Sequence, residues 1–319
     1  MPLLATLFGA AFTLATAYSL GALLMRRHPA PPEILLAIGA ATESVIVFLL
    51  LLFHLAHWSV FLAIGAAALL AAWRFRTPAA HDPIRIPRAA WVVFLPYGVW
   101  YLVNALAPET TADGITYHLG LPNEYLRLGG FPDHITFYDV VPQGMEMLYT
   151  VAFAFGRHAA AKLVEFAFFL GTLPLIFRVG RRLGATDLAC LVAAVFYFCA
   201  PVAGITGSSS YNDAAGVFYL LAAFYLLLWS SLPGCHAPIH GGILQAATCY
   251  LLPAGVLAGF CYAIKLPGVF AVAGALLFVG QASWPVGMGV PPAKLHEKWW
   301  TRQGGAGASA CQLPIEPPG

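Results

Sequence analysis

Ile34-Leu-Leu-Ala-Ile-Gly-Ala-Ala-Thr-Glu43-Ser-Val-Ile-Val-Phe-Leu-Leu-Leu-Leu-Phe53-His-Leu-Ala56 runs for 23 residues with a single charged side chain, Glu43. A bilayer core about 30 Å thick is crossed by roughly 20 such residues as helix. Helix is the expected form, because hydrocarbon offers no partner to an open backbone N–H or C=O. Similar runs occupy 3–25, 57–73, 90–107, 159–180, 187–206 and 212–231. A further region, 243–281, is long enough for two helices split near Lys265-Leu-Pro-Gly268. The fold expected is therefore an all-α, polytopic transmembrane helical bundle of eight or nine spans, a single domain over 1–281. Composition agrees: of 319 residues, 60% are hydrophobic and 9% charged, against roughly 25% charged in soluble domains. Mean hydropathy is +0.77.

The first apolar run lacks a basic leader and exceeds the length of a signal-peptide core, so it reads as a first span. Arg26 and Arg27 follow that run; Arg74, Arg76, Arg85 and Arg88 follow the third; Arg178, Arg181 and Arg182 follow the fifth. The loops between hold only Arg127 and Arg157, with Lys162 opening the fifth span. Basic loops face the cytoplasm. The N-terminus, a large loop over 108–158, the Gly207–Asp213 turn and Lys265 are then expected on the extracytoplasmic side of a plasma (bacterial inner) membrane. Six cysteines, Cys190, Cys199, Cys235, Cys249, Cys261 and Cys311, include no CxxC pair and read as small core residues.

The 108–158 loop carries six of the 14 acids: Glu109, Asp113, Glu124, Asp133, Asp139 and Glu146. Its core is Asp113-Gly-Ile-Thr-Tyr117-His118-Leu-Gly-Leu-Pro122-Asn-Glu-Tyr125-Leu-Arg-Leu128. Pro122 to Leu128 suggests a short interfacial helix, with Tyr117, Tyr125 and Tyr149 as interfacial aromatics. Asp113 fits two roles, a cap for that helix or a general base beside the headgroup layer. Asp213 fits an N-cap of the seventh span or a ligand for a metal or a sugar hydroxyl. Lys265 fits a phosphate partner or a snorkelling cation. His118 reads more simply as a packed or interface histidine, and Glu43 and Glu165 as acids in buried pairs or polar contacts between helices. Asp133, His134 and Asp139 do not follow a recognised metal-ligand spacing. Phosphate-binding glycine loops, Ser-His-Asp arrangements and nucleic-acid patches are absent from the sequence.

Asp113-x-x-x-Tyr117-His118-Leu-x-x-Pro122-x-x-Tyr125-Leu-x-x-Gly129, followed by Pro142-x-x-x-Glu146-x-Leu-Tyr149, resembles the first extracytoplasmic loop of bacterial glycosyltransferases of the C superfamily. These polytopic enzymes are related to protein mannosyltransferases and lipid A aminoarabinose transferases. The resemblance takes in Ala161-Lys162-Leu, Arg181-Arg182-Leu, Ser210-Tyr211-Asn212-Asp213 and Ala263-Ile-Lys265-Leu-Pro-Gly, roughly residues 90–280. It implies transfer of a sugar from a polyprenyl-phosphate donor to a lipid, glycan or protein acceptor. Asp113 would be catalytic, and Tyr117, His118, Glu146, Asp213 and Lys265 would bind substrate. No metal ligand is assigned, and a divalent cation is left open. Gly114 stands where the family's loop often has a second acid.

Two other classes compete. A transporter or flippase predicts repeated halves and paired charges within the spans, and the sequence shows no repeat. A non-catalytic or degenerate membrane subunit is favoured by residues 282–319, a Pro/Gly-rich stretch that reads as a disordered or aberrant tail. The family pattern then implies a C-terminally truncated copy.

Overall fold

The computed structural model describes residues 3–28, 30–75, 84, 86–230 and 250–282. Arg76, Arg85, Cys235, Cys249, Cys311, the start of the 243–281 region and the tail beyond 282 lie outside the described residues. The described chain is all helix without a strand. Its helices are α1 (Leu3–Leu24), α2 (Pro32–Leu52), α3 (Trp58–Phe75), α4 (Trp91–Leu106), α5 (Gly120–Leu128), α6 (Gly144–Arg182), α7 (Asp187–Cys199), α8 (Pro201–Gly207), α9 (Asp213–Ser230), α10 (Leu252–Ile264) and α11 (Val269–Ala282).

Among the described residues, five helices are long and apolar enough to cross a membrane, and six if α7 and α8 form one bent span. The stretch expected as one span over 187–206 breaks by 68° at its α7–α8 junction. Pro201 explains the break, since it cannot donate back into α7 and instead opens α8 at its first position. Three further apolar helices, at 213–229, 252–264 and 266–279, are 10–17 residues long, short of the roughly 20 that a straight crossing needs.

α1 and α2 pack backbone to backbone. A Cβ on Gly39 would collide with the Ala17 carbonyl and the Gly21 nitrogen, and one on Gly21 with the Leu35 carbonyl and the Gly39 nitrogen. Small residues permit such an approach, and packing between helices in lipid depends on it because hydrocarbon is as apolar as leucine.

α6 departs most from the sequence reading. Its 39 residues would extend about 58 Å if straight, almost twice the bilayer core. Instead the chain breaks at Arg157, whose φ is 55° and ψ −148°. Tyr149 and Glu165, each eight residues from Arg157, meet through a 2.8 Å hydrogen bond, so the arms 144–156 and 158–182 fold toward each other. The whole of the first arm falls in the stretch expected as an external loop. Yet Met145, Glu146, Met147, Leu148, Tyr149, Val151 and Ala152 are all buried. Tyr125 and Tyr149, expected at the interface, are fully buried as well.

The two ends of the bundle differ in charge. At one end Arg178 pairs with Glu33 at 3.0 Å, Arg181 with Asp187 at 2.8 Å, and Arg182 lies 4.0 Å from the Trp229 ring centroid. At the other, the α2–α3 turn meets the end of α5 (Ala56 N–H to the Gly129 carbonyl, 2.9 Å), and the α4 terminus meets the segment after α8 (Asn104 to Ser208, 2.8 Å).

Replacing Gly39 with Val is expected to separate α1 from α2 and cost about 1–3 kcal/mol or more. The measurement is the thermal midpoint in detergent, which should fall clearly below wild type, whereas Gly274→Ala, where an added Cβ meets nothing within 4 Å, should leave it nearly unchanged.

Candidate functional site

The polar end is organised by side chains that serve the ends of helices. The last carbonyls of an α-helix have no partner within the helix. For α4 they are met by Lys162 of α6, whose Nζ donates to the Asn104 carbonyl at 2.8 Å and the Ala107 carbonyl at 3.0 Å. Glu165, one turn further on, accepts from the Ala215 N–H at 2.9 Å, capping the first turn of α9. Its other oxygen accepts from Tyr149. The expectation of a polar contact between helices at Glu165 thus holds.

Glu109 joins the same network. It is 8% exposed, and one oxygen accepts from the N–H groups of Thr110 and Thr111 and from the Thr111 hydroxyl at 2.9–3.0 Å. The other accepts from the Ser210 N–H at 3.1 Å and its hydroxyl at 3.0 Å, with Lys162 Nζ 4.0 Å away. Burial pushes its pKa up, but the Thr111 bonds, the Lys162 charge and the Ser210 hydroxyl outweigh it and hold the carboxyl below its ordinary 4.5. Sequence reading had Glu109 as one acid among six. Nothing in its spacing marks a residue whose partners lie some fifty and one hundred positions away.

A second cluster holds three of the expected substrate-binding residues. A π-turn over Gly114–His118 delivers His118 into the bundle, 2.6 Å through Nδ1 from Oε1 of Glu146. Glu146 lies in the first turn of α6. An ionised Glu146 accepts this bond from an Nδ1 that carries the proton. Asn212 donates through Nδ2 to the same Glu146 oxygen at 3.3 Å and to the Ile264 carbonyl at the end of α10 at 3.0 Å. Two acceptors on that side fix the amide orientation. Asn212 Oδ1 and Glu146 Oε2 are then buried acceptors without a donor, an arrangement suited to the O–H or N–H groups of a ligand. Tyr117 donates to the Pro142 carbonyl at 3.3 Å. Burial first, and then the negative charge of Glu146, raise its pKa well above the ordinary tyrosine value, so it stays a neutral hydroxyl.

Asn212 and Ile264 are followed by Asp213 and Lys265, which form a 2.6 Å ion pair. Both side chains are about half exposed, 43% and 51%. Asp213 opens α9 as expected, and Lys265 finds its counter-charge within the chain. The sequence thus brings His118, Glu146, Asp213 and Lys265 to one locus, and His118 also sets its ring edge-on to Tyr211 at 5.6 Å.

Asp113 is exposed. Its backbone sits in the N-cap position of the π-turn, but its side chain makes no capping bond, which removes the capping role weighed for it. It lies near enough to Tyr117 for its charge to act on that hydroxyl. α5 extends from Gly120, two residues before Pro122, and ends at Gly129 in the left-handed conformation, φ 70°. Asp139 is taken up by Thr136, whose N–H and hydroxyl it accepts at 2.7 and 2.6 Å. No three His, Cys, Asp or Glu residues gather as a metal site among the described residues.

Comparison with known proteins returns no match to this chain among family models, curated proteins or solved structures.

The depressed carboxyl of Glu109 has a definite pH consequence. Its stabilisation is present above the ordinary glutamate value of 4.5 and is lost as pH falls from there through the lower native value. Glu109→Gln is expected to lower stability at neutral pH by about 1–3 kcal/mol, as loss of charge-assisted bonds at a buried hub does. It should also flatten the decline below pH ~4.5. Thermal unfolding in detergent across pH checks both, and parallel curves for the two proteins would refute the assignment.

Proposed function

We propose that this chain is a membrane glycosyltransferase of the C-superfamily type, with eight or nine spans, acting on a polyprenyl-phosphate-linked sugar at the extracytoplasmic face. One observation carries the reading. Apart from Arg181-Arg182-Leu, which lies at the arginine-rich end, the segments named by the family resemblance, far apart in sequence, meet at the opposite end of the bundle, and Asp113 stands there exposed without a side-chain cap.

In the proposed reaction an acceptor hydroxyl approaches Asp113. The carboxylate takes its proton as the oxygen attacks the anomeric carbon from the face opposite the phosphate. The bond from C1 to the phosphate oxygen breaks, and polyprenyl phosphate leaves with the electron pair. Lys265, half exposed beside Asp213, meets the departing phosphate, and Asp213 is freed toward sugar hydroxyls. Glu146 and Asn212 offer their unpartnered oxygens to further hydroxyls of the sugar, while His118 and Tyr117 hold the loop in place.

Asp113→Asn, assayed in membranes with labelled polyprenyl-phosphate sugar, is expected to lower transfer by 10²-fold or more, the usual contribution of a general base. Full retained transfer would overturn the catalytic role of Asp113. Lys265→Ala should chiefly raise the donor concentration needed for half-maximal rate.

A further inference from the structure

Away from that site, Glu43 lies at the twelfth of the 21 residues of α2, the middle of the helix. It is 4% exposed and Thr16 of α1 is 3% exposed. Glu43 Oε2 and Thr16 Oγ1 are both buried without a hydrogen-bond partner, and both residues line one small cavity of about 10 Å³. That is about the least room one water occupies. The remaining lining is apolar, with Val47, Phe61, Ile64 and Val151 among it.

Thr16 is unusual for a helical threonine. Thr13, Thr42, Thr150, Thr172 and Thr206 each donate to the carbonyl four residues back at 2.7–3.0 Å. The Thr16 hydroxyl makes no such bond. Instead it faces Gly65 of α3, where an added Cβ would come within 2.6 Å of it. A buried hydroxyl that forgoes its own helix and a buried carboxyl oxygen in the same cavity require a shared partner.

Charge decides the state of the acid. Among the described residues, no cationic side chain lines the cavity. Tyr219 of α9, within electrostatic reach of Glu43, donates its hydroxyl to the Ala37 carbonyl and brings no positive charge. An ionised carboxylate alone in hydrocarbon costs far more than taking up a proton. Two oxygens are also too few for a hard divalent cation such as Ca²⁺, which takes six to eight.

We propose that Glu43 is a neutral carboxylic acid that shares one buried water with Thr16, at the crossing of α1, α2 and α3. The carboxylic O–H donates to the water, and the water donates to Thr16 Oγ1. The chain thereby carries a proton at mid-helix with no counter-ion, and the water joins helices that otherwise meet through apolar contacts.

Infrared difference spectroscopy on the full chain in detergent tests this. At neutral pH, wild type minus Glu43→Gln should show the C=O stretch of a protonated carboxylic acid, moving on transfer to D₂O. Thr16→Val, nearly equal in volume, should shift that band to higher frequency by removing the water, and Thr16→Ser should leave it in place. If Glu43→Gln fails to accumulate, Glu43→Asp assigns the band through its displacement. Carboxylate bands in place of the C=O stretch would overturn the neutral acid, and a band unmoved by Thr16→Val would overturn the shared water.

Discussion

The bundle depends on one constraint: helix termini that end inside an apolar interior must find partners for their open N–H and C=O groups. α6 meets it for two neighbours at once. Lys162 satisfies the last carbonyls of α4, and Glu165 accepts an N–H from the first turn of α9. Both residues lie on the second arm, just past the Arg157 break. Tyr149, reaching back from the first arm to Glu165, ties the cap to the fold of the break itself. Glu109 then offsets the buried charge of Lys162 and holds the Ser210 segment ahead of α9. Taking Lys162 away would strand two carbonyls and remove the counter-charge of Glu109, and a buried group left unpaired bears its full desolvation penalty.

The helices themselves were legible, because long apolar runs have few alternatives in a membrane. So were the short helix after Pro122, the start of α9 at Asp213 and the grouping of arginines at one end. The break at Arg157 was not. Arginine carries no preference for positive φ, and the apolar residues of 144–156 read as the polar loop running into a span. The turn brings Tyr149 to Glu165, a long-range pairing, and pairings of that kind leave no local periodicity. The interfacial reading of Tyr125 failed for a related reason. A tyrosine has one apolar body and one polar tip, and Gln143, at 2.6 Å, supplies inside the protein the partner that water supplies at an interface. Glu109 and Lys162 were equally hidden, as ordinary members of an acid-rich loop and of a span boundary.

Local rules also explain why the acid loop is held rather than loose. Its π-turn places His118 against Glu146, α5 closes on Gly129, and Thr136 and Asp139 cap each other in a reciprocal box. Each device fixes one short stretch. Glu146 and Asn212 join these stretches to α6, α9 and α10 through a single carboxylate oxygen and a single amide nitrogen. The acid loop is therefore fastened to these helices by buried bonds.

Against that fastened background the exposed charges stand apart. Glu109 and Glu165 are buried and spend both oxygens on caps and loop bonds, so neither is free to move a proton to a bulky acceptor without loosening a helix end; Glu146 commits one oxygen to His118 and Asn212. Asp113 has no such duty, and the Asp213–Lys265 pair is half exposed, where water weakens the attraction between the partners. An exposed ion pair exchanges partners at little cost, whereas a buried one does not. A phosphate arriving from the membrane face can therefore compete for Lys265 with a single carboxylate. The proposed division of labour follows from this asymmetry: buried acids hold the frame, and the exposed acid and cation at its edge remain available for chemistry.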